Sequence, residues 1–240
     1  TLERISIPLS VTSISSNAFD GCKNLKEINI DPYYTKLDIS SFSNCESINH
    51  LIIGSSVIII RQFNFNIFGN LTKITIPNSV TTLEDNSFMG ISTLKEIKIP
   101  ESVTSIGNNC FAKCTSLDNV VIPSKVKKIN DFTFKGCTSL SNIIMHDSIT
   151  YIGCNCFSGC ISLNHFEIPK FIQLINKYTF EKCSSLNIII IPSSIQSIEE
   201  GAFYQCSSLE KISIPPTVKN IPQKVFDGCT SLLEITIDPY

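Results

Sequence analysis

The sequence predicts a repeat solenoid with a parallel β-sheet on its concave face. Short helical or 3₁₀ segments and further extended segments are expected on the convex side. A phenylalanine recurs every 23 residues, ten times, without an insertion or deletion, and other apolar columns keep the same step. Each unit alone has too few apolar side chains to fold, so stacking must bury them. The recurring phenylalanines are Phe19, Phe42, Phe65, Phe88, Phe111, Phe134, Phe157, Phe180, Phe203 and Phe226.

Each unit contains a strand segment of the form Leu-x-x-Ile-x-Ile, for example Leu25, Ile28 and Ile30. Its alternation predicts a strand with one buried face. A proline often follows, and because proline cannot donate a hydrogen bond to a sheet, it ends the strand. A Val-x-x-Ile segment predicts a second short extended stretch, and the i, i+3 spacing around the phenylalanine favours one helical or 3₁₀ turn. The residues that replace the proline include Asp31, Gly54, His146 and Asp238.

Eight of the eleven cysteines occupy one column, three residues after each phenylalanine. Phe68 and Ile91 occur in the same column, so it is apolar, and its thiols are expected to be buried, reduced and packed as small hydrophobic groups. Two alternatives remain open. Cys154, Cys156 and Cys160 could bind a metal, although structural zinc requires four ligands and the columns point Cys154 outward. A disulfide could join Cys110 to Cys114, or Cys156 to Cys160.

The sequence favours neither an enzyme nor a nucleic-acid or membrane protein. The uninterrupted units leave no long loop for catalytic groups, and no phosphate loop or zinc-protease motif is present. Repeat spacing separates His50, His146 and His165 too widely to share a metal or a proton. We therefore expect no catalytic residue, no metal and no cofactor. The net charge is −2, no Lys/Arg block occurs, and no apolar run could span a membrane.

The unit Leu-x-x-Ile-x-Ile-Pro-x-x-Val-x-x-Ile-x-x-x-x-Phe-x-x-Cys-x-x resembles the 23-residue leucine-rich repeat of the BspA-like family. The resemblance extends over essentially the whole chain and implies a single leucine-rich-repeat solenoid of about ten repeats over residues 1–240. Similar proteins are surface antigens of bacteria and parasitic protists. The resemblance therefore implies a cell-surface or secreted location and adhesion to matrix proteins or to other cells. The alternative is a cytoplasmic protein-interaction scaffold, which the many free thiols would suit.

Outward strand positions predict where a protein partner binds. Most are polar, but four aliphatic residues and five polar ones cluster on four neighbouring strands of the expected concave face. Exposed apolar patches with a polar rim often mark contact surfaces, whereas isolated β-branched residues are common in any strand. We call this cluster the central patch. It comprises Val121, Ile144, Ile188, Ile190, Asn119, Asn142, His146, His165 and Glu167.

Two further features lie outside the central patch. Ile58, Ile59 and Phe63 make the third unit unusually apolar, which predicts either packing within an irregular repeat or, with Phe132, a second surface. Neither end shows a polar capping unit, so end-to-end self-association through uncapped ends is a further expectation. One glycosylation signal, beginning at Asn70, is compatible with an extracellular location.

Overall fold

A computed structural model describes residues 2–31, 33, 36–38, 40–68 and 70–237. Asp238 lies outside the described residues. Each unit forms one turn of a solenoid, and each turn adds one parallel strand to the same face of the solenoid. Strands are numbered in chain order. The strands of the main-sheet face are β1 (Arg4–Ser6), β3 (Glu27–Ile30), β5 (His50–Ile53), β7 (Lys73–Thr75), β9 (Glu96–Lys98), β11 (Asn119–Val121), β13 (Asn142–Ile144), β15 (His165–Glu167), β17 (Ile188–Ile190), β19 (Lys211–Ile214) and β20 (Glu234–Ile237).

The predicted second extended stretch also forms, as two-residue strands that pair in parallel between neighbouring turns. These strands begin near the valine of each unit and end on a buried aliphatic residue such as Ile106 or Ile129. They are β2 (Ser13–Ile14), β4 (Lys36–Leu37), β6 (Ile59–Ile60), β8 (Thr82–Leu83), β10 (Ser105–Ile106), β12 (Lys128–Ile129), β14 (Tyr151–Ile152), β16 (Leu174–Ile175) and β18 (Ser197–Ile198).

The register of the main sheet repeats the spacing of the sequence. Ile28 pairs with Leu51, 23 residues later, and Leu51 pairs with Ile74. Because side chains alternate along a strand, this register places equivalent residues of successive units next to each other, and the inward residues form continuous apolar columns. The predicted solenoid with stacked parallel strands is thus confirmed.

The phenylalanine column forms the centre of the core. From Phe88 to Phe226 each ring stacks on the next, with centroids 5.4–5.8 Å apart and ring planes within 11° of parallel. Offset parallel rings at this separation attract each other beyond the gain from burial alone. The rings of Phe88 to Phe203 are fully or almost fully buried. The column therefore ties each turn of the solenoid to both of its neighbours.

The predicted helical turns take a different form. A 3₁₀ turn forms at Phe65–Phe68, but in the other described units the segment is a series of tight turns. The N–H groups of Asn86, Phe88 and Gly90 donate to carbonyls of the next unit at 2.8–2.9 Å. A helix would direct these donors along its own axis. Residues with a left-handed backbone lie on both sides of the phenylalanine, such as Asn86 (φ 60°) and Gly90 (φ 80°), and they turn every second N–H group toward the next unit.

The third unit is irregular in structure as well as in sequence. The Phe42 ring packs on Phe68, at 5.3 Å between centroids, and Phe65 instead stacks on Phe88. Phe63 is half-buried and contacts the rings of Tyr33, Phe65 and Phe68. Packing within the irregular unit therefore accounts for Phe63. At the far end, Ile235 and Ile237 of β20 are exposed, and end-to-end association stays a prediction.

Candidate functional site

The central patch lies on the outward face of β11, β13, β15 and β17. Val121 and Ile144 are paired in register on neighbouring strands, while Ile188 and Ile190 lie on one strand. The side chains of these four residues are 51%, 51%, 53% and 48% exposed, respectively. Their inward neighbours Val120 and Ile189 are buried, so alternation along the strands fixes which side chains face outward. The patch is an aliphatic surface that the core does not use.

On the strands before the central patch, the charged side chains of one outward column pair with each other, whereas Lys98 in the other outward column of β9 has no ion pair within the described residues. Glu27 lies 2.9 Å from His50 Nδ1 and 3.9 Å from Arg4 Nε, and Lys73 pairs with Glu96 at 3.1 Å. After the patch, Lys211 pairs with Glu234 at 3.0 Å. These residues share one outward column, in which charges of opposite sign meet on adjacent strands. Exposed pairs of this kind contribute little to stability, roughly 0–1 kcal/mol each, but they leave fewer free charges for a partner.

The polar side chains of the central patch have no such partners. Within the described chain, none of the five forms a hydrogen bond or ion pair with another protein group. His146 is exposed just beyond β13, in the proline position of its unit, and His165 and Glu167 are exposed on β15. These five side chains are Asn119, Asn142, His146, His165 and Glu167. The patch therefore combines exposed aliphatic groups with polar groups whose hydrogen-bonding capacity is free.

The main sheet is interrupted inside the central patch. Among the described residues, the seven odd-numbered strands from β1 to β13 form one sheet, whereas β15 pairs only with β17, and β19 only with β20. At the β17/β19 interruption, the inward residues Ile189 and Ile212 stay buried. At the β13/β15 interruption, Ile143 and Met145 are only half-buried. A cleft of about 500 Å³ lies over this interruption, lined by residues of Asn142–Asp147 and His165–Pro169, and one of about 660 Å³ is lined by the equivalent residues of the paired strands β7 and β9.

Phe166 distinguishes β15 from the strands before it. The equivalent inward position holds Ile143 in the preceding turn and Ile189 in the following one. The Phe166 ring is buried between Phe157 and Phe180, with centroid separations of 5.0 and 4.7 Å. The ring does not prevent close pairing with the following strand, since Phe166 pairs in register with Ile189 of β17.

Phe171 is an exposed aromatic residue that the sequence interpretation missed. It is 57% exposed, and Lys170 Nζ lies over its ring, 5.3 Å from the centroid. Lys170 also pairs with Asp147 at 2.7 Å, which places the aromatic ring next to the rim of the cleft. The sequence does mark Phe171 as unusual, because most other units have a serine at the equivalent position, such as Ser102 or Ser194. Those serines donate to a backbone carbonyl of the preceding unit, and Phe171 cannot.

The cysteine column is buried, as the apolar pattern predicted. From Cys114 to Cys229 each thiol in this column donates to the carbonyl of a phenylalanine 26 residues earlier, with S···O distances of 3.0–3.2 Å. All eleven cysteines are free thiols, and Cys22 and Cys154 are only half-buried. Burial raises the pKa of Cys114 and of Cys160 to about 12. The described residues contain no group of three or more His, Cys, Asp or Glu side chains arranged to hold a metal ion.

Alkylation of the native protein should distinguish the partly exposed cysteines from the buried ones by their rates of modification. We expect iodoacetamide at pH 8 to modify Cys22 and Cys154 alone, because a thiol reacts as its thiolate and must be reached by the reagent. Cys154 should react slowly, since burial and the nearby carboxylate of Asp131 raise its pKa. Peptide mass spectrometry identifies the alkylated cysteines. Modification of Cys137 or Cys160 in native protein as fast as in urea would contradict the buried column.

Comparison with known proteins identifies the repeat. The sequence model of the BspA type leucine rich repeat region matches residues 1–118 and 104–233, in six copies. No curated protein matches the chain by sequence. Within the described residues, no helix is long and apolar enough to cross a bilayer.

Solved bacterial structures share the fold. A leucine rich cell surface protein of Faecalibacterium prausnitzii is 28% identical, with a TM-score of 0.57, over 100% of this chain and 80% of that one. A leucine-rich repeat protein of Bacteroides ovatus is 25% identical, with a TM-score of 0.54, over 97% and 80%. One from Eubacterium ventriosum is 29% identical, with a TM-score of 0.61, over 92% and 60%. The stacked 23-residue turns and the match across most of the sequence together show that the chain belongs to the family of BspA-type leucine-rich repeat proteins.

Proposed function

We propose that this chain is a non-catalytic protein-binding module and that a protein partner docks on the central patch. The observation that carries the proposal is the contrast along the main sheet. The charged side chains of one outward column pair with each other on both sides of the patch, whereas the middle strands expose four aliphatic side chains and five polar ones without a partner in the described chain. Interface cores are typically depleted in charge and ringed by polar groups, which is the composition found here.

The proposed location is the cell surface, with adhesion or contact with a host as the role. Family membership supports it, as does the likeness to the Faecalibacterium protein, which is described as a leucine rich cell surface protein. Matrix proteins or proteins on another cell are the proposed partners. The second candidate is an intracellular interaction scaffold, which is favoured by the eleven free thiols, because reduced cysteines suit the cytosol.

A double substitution on the patch tests the binding proposal. The parent protein is first assayed on immobilised fibronectin, laminin and collagen and on intact cells, and the ligand that it binds is then used for the variants. Ile144→Glu with Ile190→Glu should weaken binding by about 100-fold or more, because two charges would have to be desolvated in the contact. The matched control is Ser6→Glu with Ser213→Glu, in the same outward column outside the patch, which should bind like the parent.

Two outcomes would overturn these proposals. If the folded double variant bound as tightly as the parent, the central patch would not be the binding surface. Circular dichroism establishes that both variants fold. Antibody staining of intact and permeabilised cells of the source organism tests location separately. Staining only after permeabilisation would reject the cell-surface role and favour the intracellular scaffold.

A further inference from the structure

We propose that the face of the solenoid formed by the two-residue strands binds a sulfated polysaccharide through Lys125, Lys127 and Lys128. These three residues, which we call the lysine cluster, lie in β12 and just before it, in a segment that contains no residue of the central patch. The inference goes beyond the proposed function, since it assigns a second surface and a ligand of a different chemical class.

The ammonium groups of the lysine cluster are available to a ligand. All three lysine side chains are exposed, whereas Val126 and Ile129, which alternate with them, are fully buried. In the described part of the chain, no ion pair or hydrogen bond joins any of the three side chains to another protein group. Three positive charges within four residues therefore lack a partner in the protein.

The carboxylates around the lysine cluster are held by other groups. Glu101, in the preceding turn, accepts hydrogen bonds from the backbone N–H and the hydroxyl of Ser124 at 3.3 and 3.1 Å. Asp147, in the following turn, pairs with Lys170 at 2.7 Å. Asp131, later in the same turn as the cluster, accepts a hydrogen bond from a backbone N–H of the next turn at 2.8 Å. The cluster is therefore a locally positive surface that attracts an anion.

The equivalent positions of the adjoining turns carry hydroxyl groups and no charge. The strip begins with the exposed Thr81, two turns before the cluster, and ends with the exposed Thr150, one turn after it. These three steps span about 14 Å at about 4.8 Å per turn. A chain-like anion can thus cross the cluster in either direction without repulsion at these positions. The residues of the two adjoining turns are Ser102, Thr104, Ser105, Ser148, Thr150 and Tyr151.

The chemistry of the lysine cluster favours several separate anionic groups over a single one. Lys125 and Lys127 are two residues apart, about 6.6 Å along an extended chain, so their charges are spread out. Ammonium groups act as point charges, whereas arginine is suited to planar, bidentate recognition of one carboxylate or phosphate. A polar chain that carries sulfate groups at intervals matches this arrangement.

Two other classes of polyanion match the surface less well. The cluster and the equivalent positions of the adjoining turns expose no aliphatic side chain, whereas an interface with a folded acidic protein normally has an apolar core. Nucleic-acid binding is typical of a broad basic surface, and the net charge of this chain is −2. A sulfated polysaccharide requires neither an apolar core nor a broad basic surface.

Fluorescence polarisation with a labelled heparin octasaccharide tests the inference. The cluster variant is Lys125→Ser with Lys127→Thr and Lys128→Ser, which installs the residues of the preceding turn and so preserves the fold. It should bind at least about 10-fold more weakly than the parent, because three charge contacts are lost. Between about 50 and 200 mM NaCl, the slope of log affinity against log salt concentration should become shallower by about 2 to 3.

The matched control removes three positive charges elsewhere. It is Lys95→Thr with Lys98→Thr and Lys113→Gly, and each new residue is the one at the equivalent position of the preceding unit. None of these lysines forms an ion pair within the described residues. The control should bind the octasaccharide within about 2-fold of the parent, since distant exposed charges are screened by salt. If it lost as much affinity as the cluster variant, only the net charge would matter, and the inference would be overturned.

Other polyanions and the patch variant complete the test. Desulfated heparin octasaccharide, polyglutamate and a DNA duplex of about 20 base pairs should each bind at least about 10-fold more weakly than heparin octasaccharide. Equally tight binding of any of the three would reject the sulfated ligand, and no binding of heparin octasaccharide at about 50 mM NaCl would reject the surface. Ile144→Glu with Ile190→Glu should leave octasaccharide binding unchanged. If that variant lost it while the cluster variant kept it, the inference would fail and the proposed function would stand.

Discussion

Raising the pH from 8 to 10 should destabilise this protein by on the order of 10 kcal/mol, at about 2 kcal/mol for each buried thiol. Seven buried thiols have a pKa raised by burial, because a thiolate would lose its hydration in the apolar core. In the unfolded chain the same groups titrate near 8.5. The stabilising contribution of the neutral thiols is therefore complete below about pH 8.5 and falls as the pH rises toward the folded-state pKa, which is about 12 for Cys114 and Cys160. The seven are Cys110, Cys114, Cys137, Cys156, Cys160, Cys183 and Cys206.

The magnitude follows from the linkage between protonation and folding. Above the unfolded pKa, each buried thiol lowers the free energy of unfolding by about 1.4 kcal/mol per pH unit. The total free energy of unfolding of a typical domain is only about 5–15 kcal/mol. Urea unfolding under reducing conditions at pH 8, 9 and 10 measures the slope. A free energy of unfolding that does not change over this range would show that the thiols are not buried in neutral form.

A matched variant tests whether the cysteines cause this pH dependence. Cys110 and Cys156 share a column with Ala18 and Ala202, so the fold already accepts alanine there. Replacing both cysteines with alanine should reduce the slope by about 2.7 kcal/mol per pH unit, which is the contribution of two thiols. An unchanged slope in the double variant would assign the titration to other groups.

Phe134→Ala should destabilise the solenoid by about 4 kcal/mol, the largest effect that we expect from one substitution. The Phe134 ring is fully buried and stacks on Phe111 at 5.4 Å and on Phe157 at 5.7 Å. Truncation leaves a cavity in the middle of the column and removes both ring contacts. Because each turn contacts only its neighbours, this loss also weakens the coupling between the two halves of the solenoid. Equilibrium unfolding in urea measures the loss in the free energy of unfolding.

The control is a phenylalanine of the same unit outside the column. Phe132 is half-buried and has a left-handed backbone, with φ at 60°, at a position where four other units hold asparagine. Asparagine tolerates this conformation better than phenylalanine, so Phe132→Asn should change stability by less than about 1 kcal/mol in either direction. If Phe134→Ala were no more destabilising than Phe132→Asn, the stacked column would not be the structural centre of the fold.

The sequence by itself determined the architecture and the orientation of side chains. A period of 23 residues stacks each column on itself, so Ile28 must meet Leu51, and strict alternation must turn Ile144 and Ile190 outward. The same reasoning assigned the cysteines to the core, since Phe68 and Ile91 share their column. The internal pairing of the flanking charges also follows from this spacing, because Lys73 and Glu96 occupy one column.

Only the tertiary structure decided how neighbouring turns fit together. The turn segments have helical spacing in sequence, but their N–H groups, such as that of Phe88, bond to the next unit. Phe166 looks like an ordinary apolar replacement, yet its ring packs between Phe157 and Phe180 and the main sheet is interrupted beside its strand. Periodicity specifies which side of the chain faces the core. The separation of two strands instead depends on the volume and packing of side chains from several turns at once, which no single repeat contains.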